Sequence, residues 1–177
     1  RLFENPTDMY EMPVPMINVI NGGRHAQGTS DIQEYMIMPI GAENIVQAIQ
    51  WGSEVFHHLG KILADMDYPT TVGDEGGFAP QLKSSEEALE IIVEAITEAG
   101  YQPGKDIYIA LDSAASEFYK DGKYVLTREG VERSPEEMIA YYEHLVDKFP
   151  IISIEDGLAE DDWENWSKIT ERLGSKI

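Results

Sequence analysis

The sequence predicts an α/β fold that forms part of a (β/α) barrel, and three observations lead to this prediction. The second half of the chain alternates apolar strands with amphipathic helices, which is the pattern of β-α-β units with parallel strands. The strands are too continuously apolar for a half-exposed sheet, which indicates burial on both faces. Acidic residues stand where strands end, at Glu75, Asp112 and Glu155. A doubly wound sheet is the other all-parallel arrangement, but in a barrel these strand ends form the catalytic face, so the acids favour the barrel.

Strands are predicted where short apolar runs end in glycine, proline or an acid. They cover residues 14–20, 32–39, 70–72, 106–112 and 151–155. The pair Asp121-Gly122 lies between two aromatic-rich runs and predicts a small hairpin.

Helices are predicted where apolar residues recur at intervals of three and four. The first covers residues 42–65, with Ile45, Ile49, Val55 and Leu59 among its apolar positions. Capping boxes begin the second helix at Ser84 and Glu87, and the third at Ser134 and Glu137. The second ends at Gly100, the third at Phe149 before Pro150, and the fourth at Gly174. The apolar positions of the fourth are Trp163, Trp166, Ile169 and Leu173.

Composition excludes several classes of protein. Asp and Glu total 33 against 13 Lys and Arg, a net charge of −20, so the surface should repel nucleic acid and anionic lipid. The absence of cysteine excludes disulfides and thiolate metal sites. No apolar run is long enough to cross a bilayer, and no signal peptide is recognisable, so a cytoplasmic location is the default expectation. Most of the acidity serves solubility, unless some carboxylates converge.

Asp112 and Glu155 are the carboxylates whose positions predict such convergence. Each ends an apolar strand, and the two strands are consecutive in one β-α-β unit. Adjacent parallel strands lie about 4.8 Å apart, so the two side chains could share a hard cation such as Mg²⁺, which accepts carboxylates and water. Alternatively, either acid could cap the helix that follows it. Spacing leaves both interpretations open.

Two glycine-bordered loops hold further candidates. Residues 73–77 place Glu75 among three glycines directly after a strand, either as a rigidly held acid or base or as an ordinary acidic turn. Residues 22–26 place His25 after a glycine pair, although a lone loop histidine is more often simply solvated. His57 and His58 on the first helix are assigned no role.

The order of these segments resembles the enolase family. Five stretches of the chain resemble, in the family's order, the histidine strand-loop, the next active-site strand, the catalytic-acid loop and the two metal-carboxylate segments. They are residues 13–26, 33–37, 72–80, 111–119 and 153–163. Gly157 resembles the bacterial form of the family, because the animal and yeast forms have proline there.

The resemblance implies a role for each candidate residue. Asp112 and Glu155 would be ligands of a Mg²⁺ that organises the substrate, and Glu155 would also contact the substrate. Glu75 would be the general acid that helps the 3-hydroxyl leave as water, with Glu34 paired to it. Gln33 and His25 would contact the substrate. The reaction implied is the reversible, Mg²⁺-dependent dehydration of 2-phospho-D-glycerate to phosphoenolpyruvate in glycolysis.

The resemblance also implies parts that have no counterpart in these 177 residues. These are a third metal carboxylate, the lysine base, the residues that hold the phosphate, and a small N-terminal domain. We therefore expect residues 1–12 to be a leading segment and residues 13–177 to be the first half of the catalytic barrel. An ordinary barrel takes about 250 residues. The chain alone should be inactive, and the intact enzyme should be a homodimer or higher homo-oligomer.

Two other functions stay open at this point. The chain could belong to an enolase-superfamily enzyme that acts on another carboxylate, although such an enzyme would not share the loops of Glu75 and His25. It could instead be a non-catalytic acidic binding module that acts through its surface, with secondary exposure at the cell surface, as some enolases are reported to do; only its charge supports this.

Overall fold

A mixed four-stranded sheet carries the fold, in a computed structural model that describes residues 12–73 and 75–177. Most of the predicted leading segment, residues 1–11, and Asp74 in the Glu75 loop lie outside the described residues. The four strands are Ile17–Asn21 (β1), Glu34–Met38 (β2), Tyr108–Asp112 (β3) and Ile151–Glu155 (β7). They lie side by side in the order β1-β2-β3-β7. The sheet is open across these described strands, as expected of part of a barrel.

Four helices and a small second sheet complete the fold. The helices are Ile45–Asp65 (α1), Ser85–Glu98 (α2), Pro135–Lys148 (α3) and Trp163–Leu173 (α4). After β3, a 3₁₀ turn at Ala115–Phe118 leads into an antiparallel sheet of Tyr119–Lys120 (β4), Lys123–Leu126 (β5) and Val131–Arg133 (β6). The hairpin predicted at Asp121-Gly122 joins β4 to β5, and both turn residues have positive φ, 50° and 83°, as a type I′ turn requires.

The parallel pairing predicted for the second half of the chain is confirmed, whereas the strands of the first half pair antiparallel, which the sequence did not predict. Only β3 and β7, joined through the single helix α3, run parallel. β1 and β2 are antiparallel because residues 22–33 connect them without a helix. β2 and β3 are also antiparallel, because two helices lie between them: α1 carries the chain back and α2 returns it to the end where β2 finished.

Alternation along the strands separates the two faces of the sheet. Tyr35, Ile37, Ile109 and Leu111 are buried in the core that the helices cover. The other face carries the row of register partners Met36, Ala110 and Ser153. Two residues further along the strands, the same face carries Glu34, Asp112 and Glu155.

The helix caps follow the sequence closely. The Ser84 side chain accepts a hydrogen bond from the amide of Glu87, and Ser134 and Glu137 form a complete capping box. Glu87 departs from the prediction, because its carboxylate accepts from the amide of Lys83 and not from Ser84.

Three apolar side chains predicted for helix cores are on the surface. Val55 and Leu59 are fully buried, whereas Ile45 and Ile49 are exposed, Ile49 to 52%, because α2 packs along the later turns of α1. Trp163 in the first turn of α4 is 76% exposed, while Ile169 and Leu173 are buried. The strand predicted at residues 70–72 is reduced to one bridge between Val72 and Phe78. No helix within the described ranges has the length and apolar character needed to span a membrane.

Candidate functional site

A row of three carboxylates crosses the sheet at one end. Asp112 is the register partner of Glu34 on one side, across the antiparallel pair β2–β3. It is the partner of Glu155 on the other side, across the parallel pair β3–β7. Directly opposed side chains on neighbouring strands lie on the same face of a sheet. The fold therefore brings together acids that are 78 and 43 residues apart in the chain.

Both oxygens of Asp112 are held by defined donors. Gln33 Nε2 donates to Oδ2 at 3.1 Å, and the amide of Ala114 donates to Oδ1 at 3.0 Å. The second bond requires a sharp turn after β3, and Ala114 lies in the left-handed region with φ 46°. Such backbone is unfavourable for a residue with a side chain, so the surrounding bonds must stabilise it.

The loops that follow Asp112 and Glu155 hydrogen-bond to each other. The amide of Ser113 donates to the carbonyl of Glu155 at 3.0 Å, and the amide of Ala115 donates to the carbonyl of Asp156 at 2.9 Å. Asp156 also has a positive φ, 46°. Two neighbouring strand ends thus share a strained, bonded backbone, which is typical of functional sites.

The alternative in which Asp112 or Glu155 caps a helix does not match the structure. The 3₁₀ turn after β3 begins after Ala114 and has no side-chain cap. Helix α4, which follows β7, begins after Asp162. Both acids are therefore available to the space at the end of the sheet.

The carboxylates of the row disfavour one another's charge. Partial burial raises the pKa of Glu34 above its usual 4.5, and the charge of Asp112 raises it further. The nearby His25 has the opposite effect, while Glu75 and Glu155 add to the increase. Partial desolvation of its carboxyl group, although the residue as a whole is exposed, and then the charge of Asp112 likewise raise the pKa of Glu155. A cation between the strands would offset this repulsion.

The donor set fits Mg²⁺ bound with water. Among residues 12–73 and 75–177, no three His, Cys, Asp or Glu side chains are grouped closely enough to hold a metal ion by themselves. Mg²⁺, however, commonly binds proteins through one or two carboxylates and keeps several waters. Asp112 and Glu155 supply two carboxylates from adjacent strands, and their oxygen chemistry suits this hard cation.

His25 stands against the other end of the carboxylate row. Its Nδ1 lies 3.1 Å from Oε1 of Glu34, within ion-pair distance, although the direction is unsuitable for a hydrogen bond and Nδ1 has no such partner. The loop folds tightly on Gly22, where a Cβ would lie 2.1 Å from the carbonyl oxygen of Ile32. Arg24, the residue before His25, forms a salt bridge with Glu117 of the 3₁₀ turn at 2.5 Å.

The Glu75 loop is attached to the edge of β1. The amide of Phe78 donates to the carbonyl of Val19 at 2.9 Å, and the loop is closed by a bond from the amide of Gly73 to the carbonyl of Gly77 at 2.8 Å. Gly76 has φ 88°, which justifies a glycine there. Glu75 itself is exposed, and its charge reaches the row, since it contributes to the raised pKa of Glu34.

Five of the six residues singled out from the sequence are joined at one end of the sheet. Contacts join His25 to Glu34 and Gln33 to Asp112, and strand register joins Asp112 to Glu34 and Glu155. Glu75, the sixth, lies on the loop bonded to the edge of β1.

Sequence reasoning missed Asn21, the last residue of β1. It is fully buried and hydrogen-bonded to the Glu75 loop. A polar residue between a buried strand and a glycine pair was the available signal, but an Asn-Gly-Gly triplet is equally typical of a simple turn.

A family model described as "Enolase, C-terminal TIM barrel domain" matches residues 9–177. The chain therefore belongs to the enolase C-terminal barrel domain family.

Proposed function

We propose that this enolase-family barrel domain forms part of an active site that dehydrates 2-phospho-D-glycerate to phosphoenolpyruvate. The observation that supports this most strongly is the in-register row of Glu34, Asp112 and Glu155. In this proposal residues 13–177 are the first half of the catalytic barrel. The substrate in this proposal is a small phosphorylated acid, and nucleic acid is not a partner.

Asp112 and Glu155 would hold Mg²⁺. When bound, this ion would supply positive charge to offset the negative charge that builds up on the substrate when it loses a proton beside its carboxylate. The hydrogen bonds from Gln33 and Ala114 fix the Asp112 carboxylate in advance, which reduces the reorganisation that binding requires.

Glu75 would act as the general acid. The reaction breaks the bond between C3 and its hydroxyl, and hydroxide is a poor leaving group unless a proton is delivered to it as the bond breaks. An exposed carboxyl group on a loop beside the row can reach a substrate held there. The proton taken from C2 would go to the lysine that the family resemblance assigns to a later barrel strand.

Glu34, Gln33 and His25 would shape the substrate site around Glu75. Glu34 has a raised pKa, so it keeps a proton to higher pH than an ordinary glutamate and can share one with its neighbours. The Gln33 amide is oriented by its bond to Asp112, and His25 lies against Glu34. Polar groups held in this way can fix a substrate's orientation.

The test is a coupled assay of phosphoenolpyruvate formation on the intact protein that contains these residues. Glu75→Gln should lower kcat by about 10²- to 10⁴-fold, the usual contribution of a general acid, and should leave Mg²⁺ affinity nearly unchanged. Glu98→Gln, an exposed acid on α2, is the matched control and should behave as wild type. Normal kcat in Glu75→Gln, or no dehydration by the wild type with Mg²⁺, would contradict the proposal.

A further inference from the structure

Asn21 ends β1 and has no exposed surface. A buried side-chain amide is costly unless its polar atoms are bonded. Here Nδ2 donates to the carbonyl of Gly77 at 3.0 Å, and Oδ1 accepts from Nδ2 of Asn18. Both polar atoms of the side chain are therefore bonded inside the protein, between the strand and the loop that carries Glu75.

Asn21 holds both ends of the Glu75 loop. The Gly77 carbonyl that accepts from Asn21 also accepts from the amide of Gly73, so one oxygen joins the start and end of the loop to the side chain. The backbone adds a third connection, because the amide of Asn21 donates to the carbonyl of Phe78 at 2.8 Å.

The same residue also holds the His25 loop. Thr29 Oγ1 lies 3.0 Å from the carbonyl of Asn21 and 2.5 Å from that of Ala26, so its single hydroxyl proton is shared between the two carbonyls, and Thr29 is itself buried. Across β1 and β2, Asn21 is the register partner of Glu34. One residue thus contacts the loop of the proposed general acid, the loop of His25 and the strand of Glu34.

The space around the amide admits little change. A Cβ on Gly73 would lie 2.4 Å from Nδ2 of Asn21, and one on Gly77 would lie 2.9 Å from the amide of Ile20. Asn18 reaches Asn21 because the register of β1 shifts between Asn18 and Ile20. In a regular strand, residues three apart point to opposite faces, and a bulge removes that alternation.

We propose that Asn21 is a positioning residue that fixes the Glu75 loop relative to His25 and Glu34. This inference rests on the proposed function for its catalytic consequence, whereas its structural part stands on the hydrogen bonds alone. Misplacing a reacting group by about 1 Å can cost a factor of 10² in rate, so loss of the buried bond between Asn21 and this loop should lower turnover.

The first measurement is hydrogen exchange of the peptide covering residues 71–80 in the substrate-free intact protein. Asn21→Asp keeps the size and the acceptor of the side chain but places a carboxylate against the Gly77 carbonyl. We expect faster exchange in this peptide and unchanged exchange in α3. Gly73→Ala places a methyl group against Nδ2 of Asn21 and should also speed exchange in this peptide. This second variant replaces Asn21→Asp in the experiment if Asn21→Asp does not fold. Unchanged exchange in a folded variant would overturn the proposal.

The second measurement separates positioning from general instability. Asn21→Asp should lower kcat by about 10- to 100-fold with KM changed by less than about threefold, and Mg²⁺ affinity should stay as in the wild type. Ile92→Val, a buried change in α2, controls for lost stability and should keep normal kcat. Faster loop exchange with normal kcat would overturn the positioning role. If Glu75→Gln kept full turnover, the proposed function would fail, and the exchange result on Asn21 would still decide whether the residue holds the loop.

Discussion

Asp112 and Glu155 are direct register partners on two parallel strands, and the residues that follow them are hydrogen-bonded to each other. Ser113 donates to the carbonyl of Glu155, and Ala115 donates to that of Asp156. The pair is therefore fixed by backbone structure and does not depend on side-chain contacts. This relationship gives the proposed metal site its geometry.

Mg²⁺ affinity should depend on Asp112 and Glu155 specifically. Asp112→Asn and Glu155→Gln each replace a charged oxygen ligand with a neutral amide, and even outer-sphere changes cost about 10- to 100-fold in metal affinity. We expect losses at least that large by isothermal titration calorimetry. Glu160→Gln removes an exposed acid from the loop after β7 and should bind Mg²⁺ normally. Equal affinities for all three variants would rule out a specific site.

The left-handed turn at Ala114 should tolerate glycine. The left-handed region costs a residue with a side chain about 1–2 kcal/mol, while glycine loses about 0.4–1 kcal/mol through the entropy of the unfolded chain. Ala114→Gly should therefore leave stability to urea unchanged or slightly higher. Ala110→Gly, in the buried part of β3, should be clearly destabilising. Similar losses in both variants would show that the turn is unstrained.

The ion pairs between α2 and α3 should make stability depend on pH. The bond from Lys148 lowers the pKa of Glu86 below its usual 4.5, and Lys148 Nζ lies 2.6 Å from Oε2 of that residue. A lowered acid pKa stabilises the fold above pH 4.5, and this contribution is lost as the pH falls through the lowered value.

Lys148→Met should accordingly lower the Tm at neutral pH, and the difference from wild type should shrink in acid. Lys105→Met, which removes an exposed lysine from the loop before β3, is the control and should show no such trend. A Tm difference that stayed constant from neutral to acid pH would mean that the Glu86–Lys148 pair does not contribute.

Local signals in the sequence predicted most of the helices and strands, and also the positions of the acids at the strand ends. The residues of β3 and β7 are largely apolar and end in an acid, and this pattern located Asp112 and Glu155 at the strand ends. Ser134, Pro135 and Glu137 predicted the start of α3 for the same reason, because a capping box depends on neighbours only three residues apart.

Features that depend on distant contacts could not be read in this way. The antiparallel direction of β2 follows from how two helices pack between β2 and β3, which apolar periodicity does not encode. Ile49 and Trp163 have the spacing of core residues, but their exposure depends on which elements pack over them. Asn21 was missed because its partner, the Gly77 carbonyl, is 56 residues away.

The most direct test of the proposed site is a crystal structure of the intact protein grown with Mn²⁺, which shares the oxygen-ligand preference of Mg²⁺ and scatters anomalously. We expect an anomalous peak between the ends of β3 and β7, within about 2.2 Å of a carboxylate oxygen of both Asp112 and Glu155. An empty position there, with Mn²⁺ bound elsewhere or not at all, would contradict it.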